Sequence, residues 1–144
     1  MRKNFFIAGG VLAVLLFISI LVYISGQKEV VVFQGKNVDD EEVWNNFKEK
    51  ASNNKKCKIT IKIGENDKIE RELEFDGEKY IYRNGKNTVE NTFLIDVRGK
   101  AKNVDEEKRY IILAGHEFTY DEITTVIYSN TSEKNRPFYL IHCN

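Results

Sequence analysis

Cys57-Lys58-Ile59-Thr60-Ile61-Lys62-Ile63 is the stretch on which the fold turns. Cys57, Ile59, Ile61 and Ile63 alternate with Lys58, Thr60 and Lys62, the period-two pattern of a strand with one buried face. Gly64-Glu65-Asn66-Asp67 supplies turn chemistry. Ile69, Leu73 and Phe75 then alternate with Glu70, Glu72 and Glu74, while Arg71 interrupts the inward set. Lysines on one strand and glutamates on the next are the cross-strand complement of an antiparallel hairpin, and that charge run reads as a solvated sheet face. Asp76-Gly77 marks a tight turn into a strand over 79–83, with Tyr80 and Tyr82 on one face, and Asn84-Gly85 marks the next turn.

On the N-terminal side, Glu29-Val30-Val31-Val32-Phe33 is a β-branched run that reads as a strand, broken by Gly35-Lys36-Asn37. Asn37 or Asp39 then caps a helix to about Ala51, with Asp39, Asp40, Glu41 and Glu42 near its positive end. Val43, Trp44, Phe47 and Ala51 recur at helical spacing, so Trp44 reads as core rather than as a ligand platform. On the C-terminal side, strands are expected over 92–97 and 110–114, joined by a charged loop over 98–108. The capping box Thr119-x-x-Glu122 predicts a short turn of helix before a strand over 124–129, and a last strand covers 138–143. The predicted class is α+β: an antiparallel β-meander with one amphipathic helix packed on the sheet.

Residues 5–25 have a different character. Phe5 to Ser25 carries no charge and is preceded by Arg2 and Lys3. Such a run spans roughly 30 Å as a helix, the thickness of a bilayer core. It exceeds the 7–15 or so apolar residues usual in a cleaved signal, and its exit, Val22-Tyr23-Ile24-Ser25-Gly26, is too bulky for an A-x-A-like site. Residues 1–27 therefore read as an uncleaved signal anchor with a transmembrane helix over 5–25. No cysteine follows for lipidation. The basic N-terminus favours the cytoplasmic side, which sends a domain over 28–144 outside the cell membrane.

Arg2 and Lys3 belong to the anchor, which leaves that domain 20 of the 22 basic residues against all 22 acidic ones. A slightly acidic domain offers no basic face for nucleic acid. It offers none for an anionic membrane surface either. Cys57 and Cys143 are the only cysteines. In an oxidising compartment a disulfide between them would close most of the domain, adding about 4–5 kcal/mol in the chain-entropy picture. Two free thiols are the other reading.

His116 and His142 are the only histidines. With Glu117 and Cys143 they can be drawn as a metal set, but no i, i+4 pair or C-x-x-C supports one. No G-x-S-x-G is present, and adjacent strand residues such as His142 and Cys143 point to opposite faces. The sequence therefore assigns no catalytic, cofactor-binding or metal residue, no cofactor and no small-molecule ligand.

The helix ending Phe47-Lys48-Glu49-Lys50, the strand Lys58-Ile59-Thr60-Ile61 and the hairpin Leu73-Glu74-Phe75-Asp76-Gly77-Glu78-Lys79-Tyr80 resemble a domain of unknown function in small secreted or lipid-anchored proteins of Gram-positive bacteria, over about residues 30–115. The resemblance implies an extracytoplasmic home and brings no activity with it. The resulting expectation is a non-enzymatic binding or interaction module at the bacterial cell envelope, with a protein or envelope component as partner. A regulator or inhibitor of an envelope enzyme is the alternative, and a tethered enzyme using scattered residues such as His116 and His142 is a third.

Overall fold

The computed structural model describes residues 29–34, 37–64, 66, 69–85, 87–100, 106–129 and 131–143. The apolar run over 5–25 lies outside them. Among the described residues, no helix is long and apolar enough to cross a membrane.

The chain runs β1 (Val30–Gln34), β2 (Asn37–Asp39), α1 (Glu41–Ser52), β3 (Cys57–Ile63), β4 (Arg71–Phe75), β5 (Tyr80–Asn84) and β6 (Asn87–Asn91). It continues through β7 (Phe93–Lys100), β8 (Glu107–Ala114), α2 (Tyr120–Tyr128), a 3-10 turn (Glu133–Asn135) and β9 (Phe138–Cys143). The α+β class is as read. The single antiparallel meander is not: the strands form a six-stranded sheet ordered β2-β1-β3-β4-β5-β6 and a three-stranded sheet ordered β7-β8-β9. Within the larger sheet β1 and β3 are parallel, Val30 opposite Thr60 and Phe33 opposite Ile63. The reason is α1, which carries the chain back to the starting end, as a crossover between parallel strands must.

Asp40, rather than Asn37 or Asp39, caps α1. Its carboxylate accepts from the Val43 N–H at 3.2 Å, with the backbone in the left-handed region at φ 61°, a conformation that Asp tolerates better than most residues. Asn37 and Asp39 instead pair with β1 as a short edge strand.

The expected β3–β4 hairpin is present, with Ile59 opposite Leu73 and Lys58 opposite Glu74. Its outer face carries the ion pair that the alternation implied, Lys58–Glu72 at 3.0 Å, and Arg83 of β5 adds a pair to Glu74 at 2.7 Å. Gly77, at φ 105°, and Gly85, at φ 58°, make the turns that only glycine enters freely.

Three further corrections concern the C-terminal half. The expected strand over 124–129 is the body of α2, so the described residues hold two α-helices. The loop over 98–108 is shorter, because β7 runs on to Lys100 and β8 starts at Glu107. The edge strand β6 was not foreseen.

The inward face of the large sheet (Val31, Phe33, Ile59, Ile61, Leu73, Phe75, Tyr82) forms one core with Trp44, Phe47 and Ala51 of α1 and with Ile111, Leu113 and Ile141 of the small sheet. Alternate residues of β8, Tyr110, Ile112 and Ala114, join Ile123 of α2 and Phe138 in a second core. The layers are thus the large sheet, then α1 beside the small sheet, then α2. β8 is covered on both faces, which explains its unbroken apolar run. Burying each of Ile111 and Leu113 contributes about 1.5–3 kcal/mol.

On the α2 side, Gly99 admits the Tyr120 ring so closely that a Cβ there would lie 2.9 Å from it. A bulge in the β8–β9 pairing, between Ile111 and Ile112, lets Ile141 and His142 both reach the large sheet.

Candidate functional site

The site is built where α1 meets the small sheet. Glu41, Trp44 and Lys48 are three and four residues apart and so line up on one side of the helix. Asp96 and Arg98 alternate on β7, and Arg109 lies across from Arg98 on β8. All of these face the layer that holds α1.

Arg109 is almost fully buried, with its side chain 2 % exposed, and Asp96 is 8 % exposed. Their pairing is a two-pronged fork: Arg109 Nε donates to Asp96 Oδ1 at 2.7 Å and Arg109 Nη2 to Oδ2 at 2.7 Å. The Trp44 indole N–H donates to the same Oδ2 at 2.7 Å, and Lys48 Nζ does so at 3.0 Å. Lys48 also stands 5.5 Å from the centre of the Trp44 ring, within cation–π reach. On its other side, Arg109 Nη1 donates to Glu41 Oε1 at 2.8 Å, and Arg98 Nη2 donates to that same oxygen at 2.6 Å.

Burial by itself would raise the Asp96 carboxyl. The hydrogen bonds from Arg109, Trp44 and Lys48 overcome that and hold it well below the usual carboxylate range. For Arg109, burial works against the charge, and the bonds to Asp96 and Glu41 restore it and raise it further. An anion so fully engaged is no general base, because any proton it took would break bonds to several donors. Asp96 instead fastens α1 to β7 and β8. Beyond it the ring of charges opens into a cleft of about 500 Å³ lined by Glu41, Asn45, Lys48, Asp96, Arg98 and Arg109.

The residues singled out by sequence fall elsewhere. Trp44 is wholly buried, as read, and stacks edge-on against Phe33 with ring centres 5.3 Å apart. Its indole N–H, however, also belongs to the charged cluster. His142 is buried and stacked on Phe33 at 5.2 Å. His116 lies exposed past the end of β8, 4.3 Å from the Phe118 ring. Register sets His142 opposite Ile111, so the two histidines are not brought together. Among the described residues, no group of three or more His, Cys, Asp or Glu is arranged to hold a metal.

Cys57 and Cys143 are both free thiols. Cys57 lies half-buried on β3 with its Sγ 3.6 Å from the Phe47 carbonyl, and burial pushes its pKa up. Cys143 is exposed at the end of β9, in the other sheet.

Sequence reasoning passed over Asp96 and Arg109. The signal was there, since Asp96 interrupts Leu94-Ile95-Asp96-Val97 and Arg109 adjoins Tyr110-Ile111-Ile112-Leu113. A charge inside an apolar run must be paired when buried. Compared with protein-family profiles, with curated proteins and with solved structures, the chain gives no match to any of them.

Proposed function

We propose that this chain is a non-enzymatic binding module at the bacterial cell envelope, held by residues 5–25, with its α+β domain on the outer side. The observation that carries the binding part is the cleft at the α1–β7–β8 junction. Arg109 and Asp96 are fixed by one another before any ligand arrives, and preorganised polar groups lose little freedom on binding. The same mutual bonding supports recognition over catalysis, because Asp96 has its proton-accepting oxygens already occupied. The envelope part rests on the uncharged run over 5–25 behind Arg2 and Lys3.

Two experiments test the two parts. Location is read with a membrane-impermeant maleimide on intact cells, using the exposed Cys143. Labelling without lysis is expected, and labelling only after lysis refutes the outward orientation. Binding is read by placing a photo-crosslinking amino acid at Asn45, on the lip of the cleft, and at Thr88, on the far edge strand. A discrete adduct from position 45 and none from 88 is expected. Equal yields from both positions would sink the cleft as the binding surface.

A further inference from the structure

The β7–β8 register sets Arg98 directly opposite Arg109. Two like charges at such a position repel each other, and Glu41 answers both with a single oxygen, at 2.6 Å and 2.8 Å. The two carboxylates of the cluster differ in how they are held. Asp96 is enclosed and uses both oxygens, whereas Glu41 stands in the first turn of α1 with its side chain 42 % exposed. Arg98 is 45 % exposed and lines the open cleft.

We propose that this cleft is an anion site for a phosphoryl group, in which Glu41 is an internal stand-in that the ligand's oxygens replace at Arg98 and Arg109. This rests on the binding-module reading above and names a ligand class for it. With Glu41 swung away, Lys48, Arg98 and Arg109 remain around the cleft beside Asp96. The Asp96 fork meanwhile keeps the Arg109 guanidinium in a fixed plane, a geometry suited to phosphate oxygens.

Charge decides the ligand class. A monocarboxylate would exchange like for like and lose to a tethered Glu41, whose effective concentration is on the order of millimolar or more. A phosphoryl group carries about −1.5 to −2 and three acceptor oxygens, so it can displace Glu41. The volume of about 500 Å³ leaves room for whatever bears the phosphate and lies inside the roughly 300–1,000 Å³ usual for ligand sites.

The test is equilibrium dialysis of the full chain in neutral detergent against radiolabelled inorganic phosphate, with folding of each variant checked by Trp44 fluorescence. Glu41→Gln removes the competitor and is expected to bind about tenfold more tightly than the natural chain, since displaced self-competition returns as affinity. Arg98→Gln is expected to lose binding. Asn45→Asp, which adds a negative charge at the lip without touching an ion pair, is expected to weaken it.

A Glu41→Gln chain that binds no better, or an Arg98→Gln chain that binds as well as the natural one, overturns the proposal. So does acetate that competes on equal terms with phosphate. Nanodiscs with and without phosphatidic acid then assign the source. Capture enhanced by Glu41→Gln on phosphatidic acid places the phosphate on a lipid, and enhancement with free phosphate alone places it on a soluble or polymer-borne group. A chain that binds no phosphate yet crosslinks through position 45 sinks this assignment alone. Phosphate binding with Cys143 sealed from the impermeant maleimide sinks the envelope reading alone.

Discussion

Replacing Asp96 with Asn keeps the shape of the side chain and removes its charge, which leaves Arg109 buried beside a neutral group. Breaking a buried pair from one side costs about 3–5 kcal/mol. Glu41 still accepts from Arg109 Nη1, so the lower end, about 3 kcal/mol, is expected. At about 4 °C per kcal/mol for a domain of this size, Tm falls by roughly 12 °C. Urea unfolding followed through Trp44, the only Trp, should show the midpoint moving down by about 1.5 M for a slope near 2 kcal/mol/M.

Arg98→Gln is the control. Arg98 is 45 % exposed, and its pair with Glu41 contributes no more than about 1 kcal/mol. Acid adds a second readout. The folded carboxyl of Asp96 is depressed, so its contribution is complete above the unfolded value of about 3.9 and fades as pH falls through the lower folded one. The natural chain should lose stability below about pH 4, and Asp96→Asn should lose less over that window. An Asp96→Asn chain within about 1 kcal/mol of the natural one, or no weaker than Arg98→Gln, would refute the idea that this cluster fastens the layers.

Three further outcomes follow from particular contacts. Gly99→Ala should cost about 1–3 kcal/mol by pressing a Cβ onto the Tyr120 ring, and Tyr120→Leu should restore much of it in thermal melts of the double variant. Thr119→Ala should cost about 0.5–2 kcal/mol, since the Thr119 hydroxyl accepts from the Glu122 N–H and the Glu122 carboxylate accepts from the Thr119 N–H; circular dichroism melts measure it. In a thiol-counting assay on the native chain, Cys143 should react quickly and Cys57 slowly, because Cys57 is half-buried with a raised pKa. Loss of both signals without reductant would mean a bridge instead.

Local pattern carried the elements whose partners are near in sequence. The alternation from Cys57 to Phe75 placed β3 and β4, and the Val43-Trp44-Phe47-Ala51 spacing placed α1. The segment over 124–129 was misread because Thr124-Thr125-Val126-Ile127-Tyr128 has β-forming residues throughout. Packing decided otherwise: the Thr119 cap starts a helix, and Ile123, Val126 and Ile127, at helical spacing, close over the small sheet. β6 was missed because Asn87-Thr88-Val89-Glu90-Asn91 has the exposed, mostly polar character of an edge, and its place is set by pairing with β5. The charged cluster joins Glu41 to Arg109 across 68 positions, a separation that period alone does not register.

The division of the core between two sheets also has a consequence in time. The large sheet ends at Asn91, but residues that close its apolar face, among them Ile111, Leu113 and Ile141, come later in the chain. At a synthesis rate of about 5–20 residues per second, the roughly 50 residues from Asn91 to Ile141 take about 3–10 s to emerge. Until Ile111 and Leu113 emerge, α1 alone of these partners covers Val31, Phe33, Ile59 and Leu73, and the cover stays incomplete until Ile141 follows. The nascent chain passes through a sticky, half-roofed stage whose length is set by the ribosome, and the last strand to leave it is the one that ends the exposure.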